Sequence, residues 1–174
     1  MASHMNCTST SFTAYGGSGG GIANGYVGGS GDNLPCSIES GTYPNPMIIS
    51  HGTADNVVPF EWAIFNLYHF QLLNRCPGIV PWPYEYFWPE FNDTGDYWDD
   101  PENDLDDIIE IVLSTADTLE YNGLVQRYQW SDGCLGGSPA LEAIILPSEQ
   151  HAWHQTWNSA INTPLEHWNF LKQF

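Results

Sequence analysis

The chain has 174 residues, 42% of them hydrophobic and 14% aromatic, which suits one domain with a sizeable core and excludes general disorder. Three cations, Arg75, Arg127 and Lys172, stand against 21 acidic residues, and the formal charge of −18 makes nucleic acid and membrane surfaces poor partners. No apolar run approaches the ~18 residues of a membrane-crossing helix.

Met1-Ala2-Ser3-His4-Met5 reads as a cloning remnant, leaving residues 6–174 as one domain. Residues 6–33 are rich in Gly, Ser and Thr. Within them Phe12 to Tyr15 reads as a short strand running into Gly16-Gly17-Ser18-Gly19-Gly20-Gly21, and Gly25 to Gly31 as loop. Met47 to Ser50 reads as a buried strand. It runs into His51-Gly52-Thr53-Ala54-Asp55, a small polar turn that presents one carboxylate. Phe60 to Asn74 is expected to be a helix, with Trp62, Phe65, His69, Leu72 and Leu73 on one face and Gly78 past its end.

Beyond it, Pro81, Pro83 and Pro89 interleave with Trp82, Tyr84, Tyr86, Phe87 and Trp88, and the prolines forbid a long regular element. An acidic run from Asp93 to Asp107 leads into a helix marked by Leu105, Ile108, Ile109 and Val112. Its carboxylates lie near the start, where they favour the helix dipole. The run lacks the order of a calcium-binding EF-hand loop, so a solvated acidic face is expected. Val125 to Trp130 reads as a strand. The apolar run Leu141 to Leu146 ends in a strand over Ala143 to Leu146 and is followed by Pro147-Ser148-Glu149-Gln150-His151-Ala152-Trp153. The last element is a helix with Thr163 as N-cap, Pro164 at the first position and Glu166 completing a capping box. Leu165, Trp168 and Leu171 are expected to bury one of its faces.

The order strand, helix, strands, helix places the chain in the α/β class, as part of a layered domain with a mostly parallel sheet and helices on both faces. Four widely spaced cysteines, Cys7, Cys36, Cys76 and Cys134, include no CxxC pair, so no metal site of zinc type is expected. Two disulfides fit an oxidising compartment. Asn6-Cys7-Thr8 and Asn92-Asp93-Thr94 match the glycosylation sequon, again pointing to a secreted, extracellular protein.

Four blocks of the chain resemble secreted α/β-hydrolase esterases of the feruloyl esterase, acetyl xylan esterase and polyhydroxybutyrate depolymerase type. His51-Gly52-Thr53-Ala54-Asp55 with Val58-Pro59 is similar to the turn that carries the triad acid. Leu73-Asn74-Arg75-Cys76 is similar to the Asn-x-Cys that ends the next helix. Val125 to Cys134 and His151-Ala152-Trp153 are similar to the last strands and the His-x-Trp turn, and Thr163 to Phe174 to the closing helix. The chain departs from the pattern in having Ser148-Glu149-Gln150 where glycines commonly precede the His, and His154 where Pro usually follows the His-x-Trp.

The resemblance implies a partial or compact α/β-hydrolase fold, its C-terminal part, with an aromatic and acidic insertion at about residues 77–120. It implies Asp55 as triad acid and His151 as general base, acid before histidine in chain order. His154 is the rival base; His51 is expected to fix the turn, and His69 and His167 to be packing or surface residues. The resemblance also implies that Cys76 pairs with Cys134, leaving Cys7 to pair with Cys36. No metal or organic cofactor is required.

The nucleophile has two readings. Gly16-Gly17-Ser18-Gly19-Gly20 matches G-x-S-x-G, which makes Ser18 a candidate, although the following Gly-rich residues are poor helix formers. Alternatively, Ser11 to Gly19 resembles the strand after the elbow helix, and the nucleophile lies upstream. Trp82, Trp88 and Trp153 are candidate substrate-binding residues, stacking on a sugar or a phenolic acyl group, or else part of a hydrophobic cluster under the insertion. The expected function is serine-dependent hydrolysis of carboxylic esters on plant cell-wall polysaccharides or polyesters. The alternative is a non-catalytic, carbohydrate-binding or accessory remnant of the same fold. The oligomeric state is left open, including a fragment that needs a partner chain.

Overall fold

A computed structural model describes residues 15–18, 46–58, 60–79, 105–121, 124–135, 139–151 and 161–174. Cys7, Cys36, Trp82, Trp88, Trp153, His154 and both sequons lie outside these residues.

Among the described residues five strands form one sheet in the order β1-β2-β5-β4-β3. They are β1 (Tyr15–Ser18), β2 (Met47–Gly52), β3 (Thr118–Tyr121), β4 (Gln126–Trp130) and β5 (Leu141–Leu146). Among the described residues three helices accompany them: α1 (Phe60–Leu73), α2 (Leu105–Ser114) and α3 (Thr163–Leu171). β1, β2 and β5 run parallel, whereas β4 and β3 add in antiparallel fashion. The described sheet is therefore evenly mixed rather than mostly parallel. The strand β3 has no counterpart in the sequence-based expectation; its alternation Thr-Leu-Glu-Tyr spans only four residues.

β2 and β5 are buried at every position, as expected of strands covered on both faces. Alternate residues serve opposite layers. Met47 and Ile49 of β2, with Leu141, Ala143 and Ile145 of β5, pack with Ala63, Ile64, Leu67 and Phe70 of α1 and Val112 of α2. Ile48, Ile144 and Leu146 pack on the other side with Phe170 of α3 and with Ile161, which precedes that helix. Each such aliphatic side chain contributes about 1.5–3 kcal/mol by leaving water.

α1 is sealed on more than one face: Asn66 and Gln71 are as buried as Ile64 and Leu67. The side chains of Trp62, Phe65, His69 and Leu73, four of the five on the face read from sequence, lie outside the described ones; Gln71 Nε2 donates to the Val112 carbonyl of α2 at 3.3 Å, while its buried Oε1 has no partner among the described residues. The end of α1 differs from expectation. The Cys76 amide donates to the Gln71 carbonyl and the Arg75 amide to the Leu72 carbonyl, the paired bonds of a Schellman motif. Arg75, at φ 51°, occupies the left-handed position that Gly78 was expected to mark. The next residue, Cys76, is bonded to Cys134, 58 residues on, and so ties α1 to the turn after β4.

α3 corrects two further expectations. Its N-cap is Asn162, whose side chain accepts from the Leu165 amide, while Thr163 is the first helical residue and fully buried. Leu165 and Trp168 are 51% and 62% exposed; the buried face is Thr163, His167 and Phe170. The sheet explains this choice. His167 Nε2 meets Ser50 Oγ at 3.0 Å, and a Cβ placed on Gly16 would come within 3.0 Å of the His167 ring. Gly16 and Ser50 thus make a slot that a histidine fills. Glu166 does not turn back to the cap; it pairs with Arg127 of β4, which also holds the buried Glu142 of β5 at 3.2 Å.

Candidate active site

β2 and β5 are neighbours, parallel and in register from Met47↔Leu141 to Gly52↔Leu146. Their C-terminal ends therefore emerge side by side. In parallel sheets this edge is where side chains from several loops converge. The turn after β2 carries Asp55, and the loop after β5 carries His151.

Asp55 is 6% exposed and uses both oxygens. Oδ1 accepts the amides of Val57 and Val58, each at 2.9 Å, and Oδ2 accepts His151 Nδ1 at 2.8 Å. Burial alone raises the carboxyl pKa, but the Val58 and Val57 amides and then His151 outweigh it and hold the group below its ordinary value. The carboxylate is ionised at neutral pH and acts as an acceptor. It follows that His151 donates from Nδ1, which in the neutral ring leaves the lone pair on Nε2. The His151 side chain is 40% exposed, and Nε2 has no hydrogen-bond partner among the described residues. The result is a carboxylate-oriented imidazole on a part-exposed side chain.

His51 supports the acid turn from within. Its Nε2 donates to the Val58 carbonyl at 2.9 Å and stands 3.4 Å from Asp55 Oδ2, with both side chains fully buried. Its ring lies beside Phe60, centroids 6.0 Å apart. A histidine four residues before the acid thus closes the turn on itself, the place the sequence gives it.

The two loops are joined along their length. The Thr53 amide donates to the Leu146 carbonyl at 3.1 Å and the Ala54 amide to the Glu149 carbonyl at 2.9 Å. Thr53 Oγ1 accepts the Ser148 amide at 2.9 Å. Gly52 permits this approach: a Cβ there would lie 2.2 Å from the Glu149 carbonyl oxygen. The sequence places Gly52 and Thr53 in the acid turn but assigns neither a role of its own, although Gly at the end of an apolar strand is a signal of close backbone approach.

Ser18 is the last residue of β1 and pairs in register with Ser50. It therefore lies toward the same sheet edge as Asp55 and His151, two residues short of the end of β2, or about 7 Å along the strand. Ser18 itself belongs to the sheet, and Phe12 to Ala14 of the strand read from sequence lie outside the described residues. Of the remaining candidates, Cys76 and Cys134 form the disulfide described above. Among the described residues no three His, Cys, Asp or Glu side chains are grouped to hold a metal ion, and no helix is long and apolar enough to cross a membrane.

No known protein family matches the chain, and no curated protein matches it.

Proposed function

We propose that this chain is the C-terminal, acid- and base-bearing part of a secreted α/β-hydrolase that cleaves carboxylic esters by serine acyl transfer, acting on esters of plant cell-wall polysaccharides or on polyesters. The observation that carries the reading is the 2.8 Å contact between Asp55 and the Nδ1 of an exposed His151. Such a pair is what a hydroxyl nucleophile needs beside it. Nε2 removes the serine hydroxyl proton as the oxygen attacks the ester carbonyl. Asp55 stabilises the imidazolium so formed. The imidazolium then gives the proton to the leaving alcohol, and water repeats the sequence on the acyl-enzyme. Ser18 is the nucleophile candidate within the chain, supported by its place at the end of a parallel strand next to the acid strand. The chemistry requires neither a metal nor an organic cofactor.

A second reading has its own support. Ser18 pairs as a regular strand residue level with Ser50, whereas a nucleophile elbow places its serine on a sharp turn beyond the strand. The chain would then lack the nucleophile and act as a carbohydrate-binding or accessory form of the same fold. Turnover separates the two. Hydrolysis of 4-nitrophenyl acetate and acetylated xylan that is lost in His151→Ala supports the hydrolase. Calorimetric binding of xylan oligosaccharides without turnover supports the binding form.

A further inference from the structure

We propose that Thr53 is a positioning residue whose hydroxyl, by holding the Ser148 amide, sets the loop after β5 so that His151 stands against Asp55. The inference rests on the hydrolase reading for its consequence but not for its test.

Ser148 has φ 65°, a left-handed conformation that costs an L-residue with a Cβ and needs a local reason. Residues Pro147 and Ser148 form the tight turn that reverses the chain after β5, closed by the Glu149 amide on the Leu146 carbonyl at 3.2 Å. In this turn the Ser148 amide points away from its own loop and toward the acid turn. There Thr53 Oγ1 accepts it at 2.9 Å, across 95 residues of sequence. The next bond along, from the Ala54 amide to the Glu149 carbonyl at 2.9 Å, has the opposite direction, so the two loops exchange one donor each. Three residues after Ser148 comes His151.

The remaining inter-loop contacts do not replace this one. Thr53 N to Leu146 O belongs to the end of the strand pairing. Ala54 to Glu149 fixes the middle of the loop. Only the Thr53 hydroxyl takes up the amide of the residue in the strained conformation. Without it the Ser148 amide is left to water, the turn relaxes toward ordinary φ values, and the direction in which Gln150 and His151 leave the turn changes. Thr53 is itself exposed, so the core does not explain a β-branched hydroxyl residue there; the bond to Ser148 does.

The test reads His151 directly by nuclear magnetic resonance on the full chain labelled with nitrogen-15. The native chain is expected to show a downfield proton on His151 Nδ1, assigned by its absence in His151→Gln. Thr53→Ser keeps the hydroxyl and keeps the signal. Thr53→Val keeps the shape, removes the acceptor and loses the signal, while circular dichroism stays native. A folded Thr53→Val chain with an undiminished Nδ1 proton overturns the proposal. A measurement on the native chain needs no variant: the Ser148 amide is expected to exchange with solvent at least about fivefold more slowly than in a free peptide. Free exchange in the native chain also overturns it. Absence of ester hydrolysis would count against the hydrolase reading and leave these signals as they are.

Discussion

Asp55 and His151 are separated by 96 residues of sequence and by 2.8 Å in space. The contact depends on a chain of causes that begins with β2 and β5. Their parallel register brings both loops to one edge, Gly52 lets the backbones touch, and the Val57 and Val58 amides turn the carboxylate toward the imidazole.

Removing His151 should affect chemistry far more than stability. His151→Ala deletes a side chain that is 40% exposed, so its unfolding midpoint should stay close to that of the native chain. Its kcat/KM on a 4-nitrophenyl ester should fall by about 100- to 10,000-fold. Asp55→Asn should give a loss of about 10,000-fold, because an amide no longer selects the Nδ1-protonated tautomer. Steady-state kinetics with urea titration of each variant reads both effects. Loss of activity in His154→Ala with retention in His151→Ala would refute the choice of base.

Gly52→Ala is expected to separate the two loops. The new methyl would lie 2.2 Å from the Glu149 carbonyl oxygen and 2.6 Å from its carbon, both backbone atoms that cannot rotate aside. The expected cost is about 1–3 kcal/mol in denaturant unfolding, with activity lost as well.

His167 should make the fold acid-sensitive. Burial lowers its pKa from 6.5 to about 4, against the opposing influence of Glu166. Between these values the unfolded chain binds the proton and the folded chain does not, so falling pH favours unfolding. The contribution is fully present above pH 6.5 and is lost as pH drops toward about 4, for a total of about 3 kcal/mol. Asp55 acts in the same direction at lower pH, since its depressed pKa stabilises the fold above its unfolded value and is lost as the carboxylate protonates. Urea midpoints between pH 7 and pH 4 should fall for the native chain and fall less for His167→Gln.

The Cys76–Cys134 bond closes a 58-residue separation. Its reduction, or the double change Cys76→Ser with Cys134→Ser, should remove about 4 kcal/mol by freeing the unfolded chain. The His151 Nδ1 signal should survive in whatever fraction stays folded, because the bond joins α1 to the turn after β4 rather than to the site.

The parts of this architecture legible in the sequence are those written in local pattern. The apolar runs that became β2 and β5 needed no partner to be recognised, and a small turn offering one carboxylate after β2 pointed to Asp55. Where the structure differs, the cause lies in contacts distant in sequence. The slot formed by Gly16 and Ser50 selects His167 over Leu165 and Trp168 as the buried side of α3. Asn162 and Thr163 are both competent caps, and Thr163 is drawn into the core, leaving the cap to its neighbour. Glu166 suits a capping box, but Arg127 competes for it. The Thr53–Ser148 bond has no local signature at all.

The most direct test of the central claim is intact mass after treating the folded chain with a fluorophosphonate probe, beside Ser18→Ala, His151→Ala and heat-denatured controls. The account expects one adduct on the native chain, absent from all three controls. A folded native chain that takes no adduct contradicts it, and the Asp55–His151 pair would then belong to a protein that binds rather than cleaves.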